Sequence, residues 1–413
     1  MTTRAEPQAL RSAVAGMLAL ASVMGIGRFI FTPILPDMSV GLGWSPTDAG
    51  LIASANYAGY LAGALAASGV RAGPALYRAT RWMLVISALT TAASGVFDAL
   101  LPLALVRFGG GVASAFVLIL CSTIVLDRLA AVGRSGLGGL HFAGVGLGIA
   151  LGGLLVAVLQ ALGVGWRGSW FVAGALSLVA CIAVRLLLPG EMRRAPASSA
   201  DAEVPGADAP VSPRQALAQL TLSTWRLGLS YGLFGVGYVI LATFISTIVR
   251  DTPGLRWLDA PIWVVVGCAA IPSVMFWNAV AQRYGTGVAY ASAAAMQAFG
   301  TALSLFETPG AMIIAAITLG GSMVALTAVG FAHARTLTTA PPHVVLGVLT
   351  AAFGLGQMLG PVLAGLVAEA SGSFTPALIA ASIALAVCAA LTPRHPAGTV
   401  ERRPGSDVRP RLR

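Results

Sequence analysis

The sequence predicts an all-α integral membrane protein with twelve transmembrane helices in two parallel six-helix repeats. Three observations carry that prediction. The first is composition: of 413 residues, 57% are hydrophobic and only 10% charged, with a mean hydropathy of +0.85, whereas a soluble domain carries about 25% charged residues. A water-soluble globular fold and disorder are both excluded, and 50 glycines without a three-residue period exclude a collagen-like fibre. The second is length, because a span needs about 20 apolar residues and twelve spans use about 240, leaving the remainder for short loops and tails. The third is an internal repeat at a constant offset.

The elements follow in order from hydropathy. After MTTRAEPQALR comes an apolar stretch at 12–35, too long for a signal-peptide core and without a cleavage site, so a retained helix is expected. Further stretches lie at 48–69, 82–98, 101–126, 136–162 and 169–188, and they complete a first bundle over 11–188. Residues 189–222, rich in Pro, Ala, Ser and Asp, read as a linker. A second bundle over 223–394 holds stretches at 223–247, 260–281, 286–306, 310–334, 345–369 and 374–392, and 395–413 forms a basic tail. Arginine placement orients the chain: Arg4, Arg11, Arg71, Arg78, Arg81, Arg128, Arg134, Arg193, Arg194, Arg214, Arg283, Arg394 and the tail fall on one side, and Arg167, Arg250 and Arg256 on the other. By the positive-inside rule both termini and the linker are cytoplasmic in a multi-pass inner-membrane protein.

The repeat is visible in glycine patterns. Gly146-Leu-Gly-Ile-Ala-Leu-Gly152 matches Gly354-Leu-Gly-Gln-Met-Leu-Gly360, Gly25-Ile-Gly27 matches Gly235-Val-Gly237, and Gly109-Gly110 matches Gly320-Gly321, at offsets of about 208, 210 and 211 residues. Because each copy holds six spans, both enter from the same side and are related by an axis along the membrane normal.

The chain has no lysine, so its net charge of +10 is carried by arginine alone. No compact basic and aromatic patch accompanies it, and nucleic-acid binding is not expected. Cys121, Cys181, Cys268 and Cys388 form no CxxC pair, so neither a metal site nor a disulfide framework is indicated. No phosphate-binding GxxxxGK[ST] loop, HExxH or GxSxG element is present, and neither an enzyme nor a bound cofactor is expected.

A charge in the hydrocarbon core costs at least about 2.5–3.5 kcal/mol on insertion scales, so Arg28 and Arg107 are candidate functional residues. Facing a cavity, their guanidinium groups would hold a carboxylate through charge-assisted, bidentate hydrogen bonds. Alternatively each caps backbone carbonyls, pairs with Asp37 or Asp48, or snorkels outward. Asn56, Tyr57 and Tyr60 in the second span, Tyr238 at the repeat position of Arg28, and Gln357 add hydrogen-bonding capacity to a substrate site. No Asp or Glu lies mid-membrane. His141 is the one deeply placed group with an ordinary pKa suited to proton coupling, with a packed core histidine as the alternative.

Two six-helix repeats joined by an inner linker resemble the major facilitator superfamily. Gly25-Ile-Gly-Arg28-Phe-Ile-Phe-Thr-Pro33-Ile-Leu-Pro36, Ser54-Ala-Asn56-Tyr57-Ala-Gly59-Tyr60-Leu-Ala-Gly63 and Gly356-Gln357-Met-Leu-Gly360-Pro361 resemble its YbfB/YjiJ-like bacterial branch. The resemblance implies the major facilitator fold, alternating access, and a cavity lined by the first, fourth, seventh and tenth helices. Arg107 falls in a stretch resembling the family's fourth-helix motif, whose arginine is associated with proton transfer. The loop after the second span keeps Arg71 but lacks the usual acid, as does its counterpart at Arg283, and His333 with Arg335 is a further gating candidate.

The expectation is therefore a secondary transporter, a monomer in contact with membrane lipids. It would move a small organic solute, an anion such as a carboxylate, with protons as the candidate coupling ion. An exporter of lipophilic or cationic compounds predicts a cavity acid that the sequence lacks. A membrane sensor or scaffold without transport is the remaining alternative.

Overall fold

The computed structural model describes residues 5–67, 69–70, 73–188, 219–338 and 340–393. Twelve long helices occupy them, and no strand is present among the described residues. Helix α1 consists of three consecutive segments, an α-helix at Ala5–Leu20, a π-helical stretch at Ala21–Phe29 and an α-helix at Phe31–Leu42. It is followed by α2 (Pro46–Ala67), α3 (Pro74–Ala93), α4 (Leu100–Ala131), α5 (Gly138–Ala161) and α6 (Trp166–Leu187). After the linker come α7 (Leu222–Asp251), α8 (Pro261–Tyr284), α9 (Thr286–Leu303), α10 (Pro309–Ala334), α11 (Pro342–Ser371) and α12 (Thr375–Leu391). Of the linker expected at 189–222, residues 189–218 lie outside the described residues, as does the tail, and Leu222 already begins α7.

Nine of these helices are long and apolar enough to cross a membrane, and α12 is a shorter apolar helix of 17 residues. Helices α2 and α3 have the length but carry Asn56, Tyr57 and Tyr60, or Arg78 and Arg81, which lower their hydropathy. The largest change from the expected spans is α3, which begins at Pro74 rather than near 82 because proline at the first turn presets helical φ and has no N–H to satisfy. Hydropathy misses that first turn because Arg78 and Arg81 occupy the turns that follow it.

The packing repeats under a shift of six helices. Helix α2 packs on α4 as α8 packs on α10, α3 on α4 and α6 as α9 on α10 and α12, and α1 on α5 and α6 as α7 on α11 and α12. Two seams join the halves, α2 against α11 and α5 against α8, and the same shift exchanges them. Helices in lipid gain little from the hydrophobic effect on each other, so these seams depend on close van der Waals contact between small residues.

The shared glycines serve that contact. A Cβ on Gly25 would lie 2.2 Å from the Gly148 backbone, and one on Gly148 would lie 2.2 Å from the Ala21 carbonyl oxygen. In the second half a Cβ on Gly356 would lie 2.3 Å from the Gly232 carbonyl oxygen in the same sense. Between the halves a Cβ on Gly267 would meet the Ala150 amide nitrogen at 2.2 Å. The fourth-helix match needs a small change of register: Gly111, not Gly109, approaches α2 as Gly320 approaches α8. An added Cβ at either would lie 2.0 Å from a carbonyl oxygen, of Asn56 and Val266 respectively.

Gly148→Ala is accordingly expected to force α1 off α5, at an overpacking cost of about 1–3 kcal/mol. It should lower the thermal midpoint of the detergent-solubilised protein and the yield of monodisperse material. Gly109→Ala, whose added methyl meets nothing nearer than the Thr90 Cγ2 at 3.6 Å, should leave both unchanged.

Candidate functional site

The site starts from a break in α1. Pro33 has no N–H, so the Phe29 and Arg28 carbonyls, four and five residues back, lose that donor where the π-helical stretch ends. Arg107 on α4 fills that gap, with Nη1 donating to the Gly27 oxygen and Nη2 to the Arg28 oxygen, both at 3.1 Å. Its guanidinium carbon also lies 5.2 Å from the Phe31 ring centroid and 5.1 Å from that of Trp170. Asn56 Nδ2 in turn donates to the Arg107 carbonyl at 2.8 Å. Arg107 thus takes the carbonyl-capping alternative and Asn56 a helix–helix hydrogen bond, and neither is among the residues that line the cavity. An unpaired carbonyl in the membrane costs several kcal/mol, which explains why a buried arginine is retained there.

Arg28 points the other way, into a cavity of about 310 Å³ between the halves. It is 5% exposed, and its guanidinium carbon sits 4.0 Å from the Tyr60 ring centroid and 4.7 Å from that of Tyr57. Its Nε and Nη2 have no hydrogen-bond partner among the described residues. Among the described residues no Asp, Glu or His lines the cavity with it, and most of the wall is apolar, supplied by residues such as Met24, Phe142 and Met323. Across the cavity Gln357 Nε2 donates to the Tyr238 hydroxyl, while Gln357 Oε1 is buried without a partner. Tyr238 is held by stacking on Phe353, with ring centroids 5.8 Å apart and planes 6° from parallel. The structure thus brings Arg28, Tyr60, Tyr238 and Gln357 to one cavity, with Tyr57 stacked on Arg28 at its edge.

The helices contributing to the wall are more numerous than the four implied by the resemblance, with α2, α5, α8 and α11 added to α1, α4, α7 and α10. His141 is fully buried one layer behind the wall. Its Nε2 is 2.8 Å from the Oγ of Ser122, which does line the cavity, and its Nδ1 faces Gly16 of α1.

The gating candidates do not meet across the halves. His333 bonds Thr286 through Nδ1 at 3.0 Å and the Pro393 carbonyl through Nε2 at 3.0 Å, so it ties α10 to α9 and to the end of α12. Arg283 is exposed over the Tyr284 ring, and Arg335 is exposed at the end of α10. Neither forms an ion pair with an acid of the other half among the described residues. Arg71 lies outside the described residues.

A charge cluster that the sequence reading did not single out closes the opposite end. Arg250, in the last turn of α7, forms ion pairs with Asp37 of α1 and with Asp259 in the loop before α8; Nε donates to Asp259 Oδ2 at 2.7 Å. Gln160 Nε2 donates to the second oxygen of Asp37 at 2.9 Å. Nearby, Thr47 Oγ1 donates to Glu369 Oε2 at 2.5 Å and Thr32 Oγ1 to the Ala242 carbonyl at 3.0 Å, so α2 meets α11 and α1 meets α7. Burial pushes the Asp259 carboxyl up to about 6, with the Arg250 guanidinium opposing part of the rise. The sequence signal was there: Arg250 stands on the arginine-poor side. All these contacts lie at the loop end remote from the termini, and the cavity extends from Arg28 toward Ser122, Phe142 and Phe331, nearer the terminal side.

A family model described as an uncharacterised MFS-type transporter, YbfB, matches residues 20–393. No curated protein matches the chain. Among solved structures, a point mutant of the nucleoside transporter NupG aligns at a TM-score of 0.71 with 16% identity, covering 92% of this chain and 98% of that one. A bacterial homologue of the human lysosomal transporter Spinster, described as inward-facing and unoccupied, aligns at 0.69 with 16% identity over 95% of this chain and 97% of that one. At these identities the likeness shows the fold.

Proposed function

Because the chain belongs to the family of uncharacterised YbfB MFS-type transporters, and is thus a secondary membrane transporter rather than an enzyme, we propose that its substrate is a small organic anion, a carboxylate with an apolar body, bound at Arg28. One observation carries the reading: among the described residues, a buried guanidinium with two unpartnered nitrogens faces a cavity whose lining holds no acid. Burying an uncompensated charge is costly, and such a site is stable in function only if a ligand supplies the opposite charge. The planar fork of arginine matches a carboxylate, and the aromatic faces of Tyr57 and Tyr60 hold the fork in place. The apolar wall suits the rest of the solute, and Gln357 Oε1 accepts a hydrogen bond from any hydroxyl or amine the solute carries.

Transport then follows by alternating access, with the two six-helix bundles over 11–188 and 223–394 rocking about the glycine seams. The Asp37–Arg250–Asp259 cluster forms the gate on the side away from the termini. By arginine placement the termini are cytoplasmic and the conformation described is inward-facing. One chain contains the whole cavity, so a monomer suffices. Protons are the candidate coupling ion.

The reading is tested by thermal stabilisation of the purified protein against monocarboxylates, nucleosides, neutral sugars and lipophilic cations. A ligand at tenfold its Kd adds about 1.4 kcal/mol of apparent stability by mass action. Stabilisation confined to carboxylates is expected. A nucleoside, the solute named for NupG, stabilising the protein while carboxylates do not would overturn the anion assignment.

A further inference from the structure

A second cavity, of about 350 Å³, lies away from the transport path in a groove between α3, α4 and α6 near their terminal-side ends. Two arginines line it, Arg81 on α3 and Arg185 on α6. Among the described residues neither makes a hydrogen bond, ion pair or ring contact and no acid lines the groove. Asp127, the nearest acid along α4, is exposed and outside the lining. Two exposed guanidinium groups in one groove repel each other and attract an anion.

The surroundings say which anion. Arg185 sits in the last turn of α6, and Arg81 lies seven residues, about 10 Å, inside the start of α3, a level reached by lipid headgroups at the terminal side. Exposed Trp82 flanks Arg81, and exposed Ile182 and Leu186 flank Arg185, at 62%, 61% and 68%. Such apolar side chains face lipid, and a tryptophan at this depth marks the interface. The inner wall of the groove is apolar, through Leu84, Val85 and Leu178. Basic pockets between helices on the cytoplasmic side bind anionic headgroups through charge, while their apolar walls take the chain. We propose that this groove is a binding site for an anionic phospholipid, its phosphate between Arg81 and Arg185 and an acyl chain along Leu84 and Leu178.

The test uses the full chain in a neutral detergent, titrated with phosphatidylglycerol, phosphatidylcholine or soluble glycerol phosphate, and read by native mass spectrometry and thermal shift. The expected result is retention of one phosphatidylglycerol per chain, with weaker retention of phosphatidylcholine. Arg81→Gln with Arg185→Gln should weaken phosphatidylglycerol roughly thirtyfold, taking each arginine at its usual surface contribution. Ile182→Trp keeps the charges and narrows the groove, so it should also weaken the lipid if the double variant fails to fold. Absence of phosphatidylglycerol binding by the wild type, equal retention of both lipids, or unchanged affinity in both variants would each overturn the proposal. Glycerol phosphate binding as tightly as the lipid would assign a soluble anion instead.

Discussion

Arg28→Ala is expected to lower substrate uptake into proteoliposomes by at least about thirtyfold and to erase stabilisation by carboxylates. Truncating one partner of a buried, hydrogen-bonded charge pair costs about 2–5 kcal/mol, and each 1.4 kcal/mol is tenfold in affinity. The folded state should not suffer, because the side chain removed has two buried nitrogens without partners and its loss relieves a desolvation cost. The ligand-free thermal midpoint of Arg28→Ala should therefore equal or exceed that of the wild type. Arg107→Ala makes the opposite prediction for stability. It strips the Gly27 and Arg28 carbonyls of their donors, so the ligand-free midpoint falls. Arg28→Lys keeps the charge but not the fork, and should recover part of the uptake. Uptake unaltered in Arg28→Ala would remove the arginine from the substrate site and leave a transporter with another determinant.

Arg250→Ala should open the side remote from the termini. The arginine joins carboxylates of both halves, Asp37 and Asp259, which are 33% and 5% exposed at their side chains. A fully buried pair would cost about 3–5 kcal/mol to break. Here Arg250 is partly exposed and Asp259 takes up a proton when its partner is lost, so about 2 kcal/mol, roughly thirtyfold in the ratio of closed to open, is expected. Cysteines introduced on α1 above Arg28 and labelled with a membrane-impermeant maleimide would report the change as faster modification. Acid should act in the reverse sense. The Asp259 carboxyl titrates near 6 in the closed form, against about 3.9 for a solvated aspartate. Protonation thus favours closure, fully below about pH 4 and fading as pH rises through about 6. Lowering pH from 7.5 to 5 should shift the ratio toward closed by about tenfold, and Asp259→Asn should abolish that dependence. Labelling rates independent of both Arg250 and pH would remove the cluster from the gate.

Several features were legible in the linear sequence because they are linear properties. The twelve helices follow from runs of apolar residues, and the duplicated packing from glycine pairs at a near-constant spacing, since close helix contact requires Gly wherever it recurs. The two membrane arginines stand out in a chain with few charges, and the pairing of Arg28 with Tyr238 across the repeat follows from the same offset. Their roles do not. In α1 the π-helical stretch at Ala21–Phe29 advances more residues per turn than an α-helix, which rotates every later side chain. A 3.6-residue periodicity carried through it assigns the wrong face. Helix α4 is regular, but whether Arg107 reaches a solute or a carbonyl depends on the backbone left open beside it by Pro33, on another helix.

Long-range pairs were equally hidden. Asp37 and Arg250 are 213 residues apart, and nothing in either segment names its partner. The sequence by itself determined the solvent this chain folds in, its helix count, its twofold repetition and its shortage of buried acids. The tertiary structure decided which arginine faces the cavity, which one replaces missing backbone hydrogen bonds, and which end is closed. The physical reason is that hydropathy and spacing set how much of a helix is buried, whereas the direction of a charge depends on the polar atoms that neighbouring helices leave unsatisfied.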